Sequence, residues 1–291
     1  MRSLRSWLPV KTMLAGVAMV LTGGCAPLPL LNSIITTEPY HRVADVAYGS
    51  APRQKLDMYV PKKPSSQADV IVFWYGGYWR HGHKRDYQFV GEALAAKGML
   101  VVIPNYRLYP QVAWRGFVDD GARAYQWVEQ NVARYGGNPH RVFVMGHSAG
   151  AYIAAMVALD RGLPSVTSVE SRPCGMIGLA GPYAFLPIKD PAVQRVFSAA
   201  HHLINTQPIH YVTPGDPPLL LMAGADDHTV NPRNSYRLAR AVRAMGGQAR
   251  VIRYPGIGHI RLLLSLAAPL RFLAPALRDT VAFVHETACR P

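Results

Sequence analysis

The chain has 291 residues, 49% of them apolar and 16% charged, with 25 Gly, 24 Pro and a formal charge of +14 from 31 Lys+Arg against 17 Asp+Glu. That length can bury one large core or two smaller ones, and the even mixture excludes a disordered or collagen-like chain. No run of about 18 uncharged apolar residues occurs, which excludes a multi-span helical membrane protein, and three scattered Cys make neither a disulfide scaffold nor a zinc site.

Residues 1–25 read as an export signal. Arg2, Arg5 and Lys11 lead into an apolar run over 13–21, too short to span a bilayer, and Leu21-Thr22-Gly23-Gly24-Cys25 follows. The Pro-rich stretch 26–39 reads as a tether, and 40–291 as one domain. Within it strands alternate with helices, the pattern of a mostly parallel sheet covered on both faces. Strands are predicted over 43–48, 55–60, 70–74, 99–104, 141–145, 174–179, 219–223 and 249–254. Helices are predicted over 87–97, 116–135, 149–159 and 234–245, with Asp119 and Asp120 in the first turn of the second. The stretch 185–214 reads as an irregular cap, and the tail 260–286 as largely helical, interrupted by Pro269 and Pro275.

Gly146-His147-Ser148-Ala149-Gly150 falls between a predicted strand and a small-residue helix, the strand–turn–helix that a nucleophile elbow requires. The helix N-terminus would aim positive potential and free N–H groups at the Ser oxygen. A Ser hydroxyl attacks only when a base takes its proton, and that base needs a carboxylate to fix its tautomer. His259 alone of the eleven His follows a late strand through a Gly-flanked turn, and is the expected base. Asp226 and Asp227 both follow the strand at 219–223, so either can be the acid, leaving the other to fix the loop. His147, inside the elbow, is expected to pack or to make a structural hydrogen bond. Tyr75-Gly76-Gly77-Tyr78-Trp79 follows the first buried strand, and the N–H groups of Gly77, Tyr78 and Ala149 are the expected oxyanion hole.

These motifs, with Asn105-Tyr106-Arg107-Leu108 and Tyr135-Gly136-Gly137-Asn138-Pro139, carry a resemblance. From about Tyr40 to its end the chain resembles the α/β-hydrolase superfamily. Within it the likeness is to the esterase branch of hormone-sensitive-lipase-like carboxylesterases, prenylcysteine methylesterase-like enzymes and kynurenine formamidases. The resemblance implies an α/β fold with a mostly parallel central sheet, helices on both faces and a small cap or insertion. It also implies a catalytic triad of Ser148, His259 and Asp227, the last chosen because it stands three residues before Val230. No metal or organic cofactor is required. One position departs: Tyr75 stands where the branch has the His that orients the oxyanion loop. The end of the export signal resembles a bacterial lipobox, in which Cys25 is lipidated and becomes the new N-terminus. Ala26 after it points to the periplasmic face of the outer membrane.

Tyr75, Tyr78, Trp79, Phe185, Leu186 and the run 262–264 lie next to motif residues and are candidates to line a substrate pocket. Arg233, Arg237, Arg240 and Arg243 share one face of a helix, a solvated surface by default or a stripe facing anionic lipid. Cys174 and Cys289 are placed to pair at the edge opposite the site, in an oxidising compartment. The expected function is an exported, lipid-anchored serine carboxylesterase of small to medium acyl esters, losing activity on the acid side as His259 is protonated. An arylformamidase on the same machinery and a silent ligand-binding envelope lipoprotein are the alternatives. The expected partners are a small-molecule ester and membrane lipid through acylated Cys25, with no nucleic acid; oligomeric state leaves no mark in the sequence.

Overall fold

A computed structural model describes Asn32 and residues 40–62, 67–163 and 172–289. The export signal, Cys25 and all of the tether but Asn32 lie outside the described residues. Among those described, eight strands make one sheet: β1 (Tyr40–Ala47), β2 (Lys55–Pro61), β3 (Ala68–Trp74), β4 (Leu100–Pro104), β5 (Gly137–His147), β6 (Met176–Leu179), β7 (Leu219–Gly224) and β8 (Ala249–Tyr254). Their order across the sheet is β1-β2-β4-β3-β5-β6-β7-β8. β2 is antiparallel to both of its neighbours, and every other pair is parallel. The central strands are covered on both faces and therefore read as unbroken apolar runs; Val70 to Trp74 has no exposed residue.

Seven α-helices are described: α1 (Gln88–Ala95), α2 (Trp114–Asn131), α3 (Ala149–Leu159), α4 (Pro191–Phe197), α5 (Arg233–Ala244), α6 (His259–Leu264) and α7 (Ala276–Glu286). α3 is buried along its whole length, which its run of Ala, Gly and apolar residues permits. None of the helices is long and apolar enough to cross a membrane.

Three local expectations change. α2 begins at Trp114, so Asp119 and Asp120 fall beyond its first turn, where they do not serve the helix dipole. Asp120 is fully buried and instead accepts from Arg107 N (2.8 Å), Arg107 Nη2 (2.7 Å) and Gln54 Nε2 (2.7 Å). The helix also ends early, passing into a 3-10 turn (Val132–Tyr135) that Gly136 closes at φ +84°. The cap is more regular than its Pro and His content suggested. It holds α4, whose cap Asp190 accepts from Ala192 N at 2.7 Å, and two 3-10 turns, Leu203–Thr206 and Pro208–Tyr211.

Cys174, just ahead of β6, is disulfide-bonded to Cys289, just beyond α7, with Cα atoms 4.7 Å apart. Arg141 reinforces this end of the sheet. It donates to Asp69 Oδ1 at 2.5 Å and to Val284 O at 3.0 Å. The parallel strands begin here and run away from it, so their C-terminal ends, where ligand sites of such sheets form, lie opposite.

Candidate active site

β5 ends at His147 and α3 begins at Ala149, leaving Ser148 alone at the turn with φ +54° and ψ −122°. A non-Gly residue held there costs on the order of 1–3 kcal/mol, which only tight surroundings sustain. Those surroundings are backbone. A Cβ at Gly146 would overlap Gly150, and one at Gly150 would overlap the Trp74 carbonyl. Only glycines let strand, turn and helix approach so closely. The Ser148 N–H donates to Leu179 O at 2.9 Å, fixing the turn to the end of β6.

The candidate acid and base follow β7 and β8. After β7, Asp227 turns inward and its Oδ1 accepts from Thr229 N (2.9 Å) and Val230 N (2.8 Å). Its Oδ2 lies 2.7 Å from His259 Nδ1. Both side chains are buried, so the pair is shielded from water where the bond is strongest. Two amides and one imidazole N–H thus satisfy a buried carboxylate, and the imidazole is left with Nε2 as its free base. Asp226 is exposed and makes no side-chain hydrogen bond among the described residues; only its N–H contributes, donating to Ile257 O at 3.0 Å. The loop-fixing role expected for its side chain is therefore absent.

His147 joins the Ser148 turn to His259. Its ring lies 4.7 Å from that of His259, centroid to centroid, and its Nε2 is 3.2 Å from the His259 carbonyl oxygen. Burial, with the His259 charge as the next contribution, holds the His147 imidazole well below the ordinary histidine range. It is therefore the neutral donor in this bond, pinning the first residue of α6.

The loop after β3 supplies the third part. Gly77, Tyr78 and Trp79 have φ of +123°, +55° and +58°, a run of left-handed backbone. The Gly77 carbonyl turns back to accept from Arg80 N and His81 N, both at 3.0 Å. None of the N–H groups of Gly77, Tyr78 and Ala149 donates to another group among the described residues. The loop abuts the nucleophile, for a Cβ on Gly76 would stand 3.0 Å from Ser148 Cβ. Three unclaimed donors beside a strained Ser are what a developing oxyanion needs.

Tyr75 is not a pocket residue, contrary to expectation. It is fully buried beneath the loop, stacked on Tyr87 and Tyr106 with centroids 5.1 and 4.9 Å away. Burial pushes its hydroxyl pKa up, so it keeps its proton and donates to Asn105 Oδ1 at 2.8 Å, an oxygen that also accepts from Lys84 N. Arg53 completes the brace. It donates to Tyr75 Oη (2.9 Å), Gly82 O (2.8 Å) and Tyr106 O (2.8 Å), while Tyr106 Oη donates to Tyr75 O. Both ends of the loop are thereby tied to one guanidinium. Sequence reading missed Arg53, because it stands in the β1–β2 turn, remote in sequence from every motif.

The other pocket candidates divide. Tyr78 is 45% exposed and sits within electrostatic reach of Asp190 and Asp227, at the rim of the site. Trp79 is buried in an aromatic cluster with Phe117, Tyr152, Phe185 and Phe197, of which Phe185 is half-buried. Leu262, Leu263 and Leu264 are buried core on α6.

An eight-stranded, mostly parallel sheet with a strained Ser at its central strand-to-helix turn is the α/β-hydrolase fold, and the site is a serine-hydrolase constellation. Residues 56–172 match the family model BD-FAE. The chain is 28% identical over 261 residues to an isoprenylcysteine alpha-carbonyl methylesterase of Arabidopsis thaliana, covering 82% of this chain and 61% of that protein. It is 28% identical over 239 residues to the esterase LipC of Mycobacterium tuberculosis, covering 74% and 58%. The chain thus spans less than two thirds of the length of these curated relatives. Among solved structures it superposes on esterase 2 of Thermogutta terrifontis with a TM-score of 0.71 at 21% identity, over 88% of this chain and 98% of that one. A carbohydrate esterase from gut microbiota gives the same TM-score at 22% identity, over 87% and 98%. The chain therefore has the fold of the solved esterases and is similar in sequence to the isoprenylcysteine methylesterases and the mycobacterial Lip esterases.

Proposed function

We propose that the protein is a serine carboxylesterase acting on small to medium acyl esters. The observation that carries this reading is the 2.7 Å bond between His259 and Asp227, with His259 packed on His147, the residue before the strained Ser148, and with the N–H groups of Gly77, Tyr78 and Ala149 unclaimed among the described residues. Relatives that are named as esterases support it. In the reaction, His259 Nε2 takes the Ser148 hydroxyl proton as Oγ attacks the ester carbonyl carbon. Asp227 holds the imidazolium that results, and the N–H groups of Gly77, Tyr78 and Ala149 hold the oxyanion. Collapse breaks the bond to the alcohol, which leaves with the proton from His259. Water then attacks the acyl-serine by the same route, releasing the acid and restoring the hydroxyl.

The test is hydrolysis of acetyl, butyryl and octanoyl nitrophenyl esters by wild type and Ser148→Ala. Turnover that declines with chain length and falls at least about 1,000-fold in the variant is expected. A folded wild type without turnover would overturn the assignment.

The same proposal places the enzyme in a bacterial envelope, exported by residues 1–25 and held by acylated Cys25 to the periplasmic face of the outer membrane. The basic start, the apolar run over 13–21 and Gly23-Gly24-Cys25 support it. Palmitate incorporation that vanishes in Cys25→Ala is expected. Incorporation that persists would refute the anchor site.

A further inference from the structure

From His228 to Arg278 the chain contains no Asp or Glu, and nine Arg. α5 and β8 carry six of them. Leu238, Ala239 and Val242 bury the inner face of α5, and its outer face exposes Arg233, Arg237, Arg240 and Arg243. That stripe is about 15 Å long at the rise of an α-helix. β8, the outermost strand of the sheet, adds exposed Arg250 and Arg253. None of the six pairs with a carboxylate among the described residues. Arg237 and Arg243 donate only to backbone carbonyls, of Ala184 and Ala249. Like charges one turn apart on a helix repel, and no ion pair among the described residues offsets the repulsion. Tyr236 is exposed on the same helix at 46%, and Met245, just past its C-terminal end, at 50%. A row of cations with an exposed aromatic ring set among them on one helix face is the composition of a surface that lies against lipid headgroups.

This face adjoins the site-bearing end of the sheet. The loop that holds Asp227 leads directly into α5, and Asn234 Oδ1 accepts from Tyr183 N and Ala184 N, at the start of the cap.

We infer that the outer face of α5, with the edge strand β8, docks on an anionic phospholipid bilayer. The Arg side chains meet headgroup phosphates while the Tyr236 ring enters the interface. The docking is independent of the esterase chemistry and acts in addition to any anchor at Cys25.

The test is sedimentation of the full chain carrying Cys25→Ser with vesicles of phosphatidylcholine alone, or with about a third phosphatidylglycerol to supply the anionic surface. One variant in that background combines Arg233→Gln, Arg240→Gln, Arg250→Gln and Arg253→Gln, none of which makes a side-chain bond among the described residues. A charge-matched control combines Lys62→Gln, Lys97→Gln, Arg123→Gln and Arg134→Gln, all exposed elsewhere. A third variant is Tyr236→Ser. Binding to anionic vesicles alone is expected, falling on the order of 100-fold in the α5–β8 variant and several-fold in Tyr236→Ser, but less than about threefold in the control. Hydrolysis of a soluble nitrophenyl ester and the melting temperature should be unchanged in all three. Equal loss in the two charge-matched variants would overturn the inference, as would competition by millimolar inorganic phosphate. So would binding to RNA or heparin that leaves Tyr236→Ser unaffected and vesicles unbound.

Discussion

Asp226 and Asp227 are neighbours in a short loop, yet only Asp227 turns inward, and two backbone amides decide it. The N–H groups of Thr229 and Val230 hold one carboxylate oxygen and so aim the other at His259. Asp227→Asn should therefore lower kcat by roughly 10⁴-fold, because the amide no longer enforces the tautomer that leaves Nε2 free. Asp226→Asn should stay within about twofold by the same steady-state assay, since its side chain bonds nothing. The sequence left these two residues open until family spacing was applied, and the deciding contacts are backbone groups that no residue pattern displays. Tyr75 gives the converse lesson. Its position in the motif drew attention, but its role became legible only with Arg53, Asn105 and Tyr106 around it. Tyr75→Phe removes the hydroxyl and strands one Arg53 donor, loosening the loop without touching substrate. About a tenfold loss in kcat with KM nearly unchanged is expected, and a change confined to KM would return Tyr75 to the binding pocket.

The elements that alternation and apolar runs predicted are the ones found, and α3 and β8 fall on the expected residues. The elbow explains the accuracy at α3, since a helix pressed on bare backbone has no freedom in where it starts. Gly150→Ala would drive a methyl into the Trp74 carbonyl, and a loss of more than about 3 kcal/mol, seen as insoluble protein or a collapsed thermal melt, is expected. α2 was harder to bound, because its start is set by tertiary packing and no side chain caps it. It also carries Glu129, whose carboxyl burial pushes up to about 7, partly offset by a hydrogen bond from Tyr125. A raised carboxyl favours the protonated fold, so this contribution is full below the unfolded value near 4.5 and is lost as pH rises through about 7. Glu129→Gln should then stabilise the protein at pH 8 by about 1 kcal/mol, after allowance for partial exposure, and leave the melt at pH 5 unchanged. Equal shifts at both pH values would contradict that origin.

At the scale of the molecule, the sheet separates stability from chemistry. Strand N-termini meet the Cys174–Cys289 bond and Arg141, while strand C-termini meet Ser148, Asp227, His259 and the cap. The pairing closes a sequence separation of 115 residues, so reduction or Cys289→Ser should cost about 2–4 kcal/mol of stability while leaving turnover of the folded enzyme intact. The gross architecture was legible because buried parallel strands and glycine-bounded turns write themselves into local sequence. The brace beneath the oxyanion loop and the bond between His147 and His259 were not, since each joins residues brought together only by the completed sheet. All of these arrangements serve one strained hydroxyl, and its reactivity is the most direct thing to measure. Intact-mass and peptide mapping after exposure to a fluorophosphonate should find a single adduct, on the peptide that carries Ser148, and none in Ser148→Ala. A folded wild type that takes no adduct, or one whose labelling survives Ser148→Ala, would contradict the account.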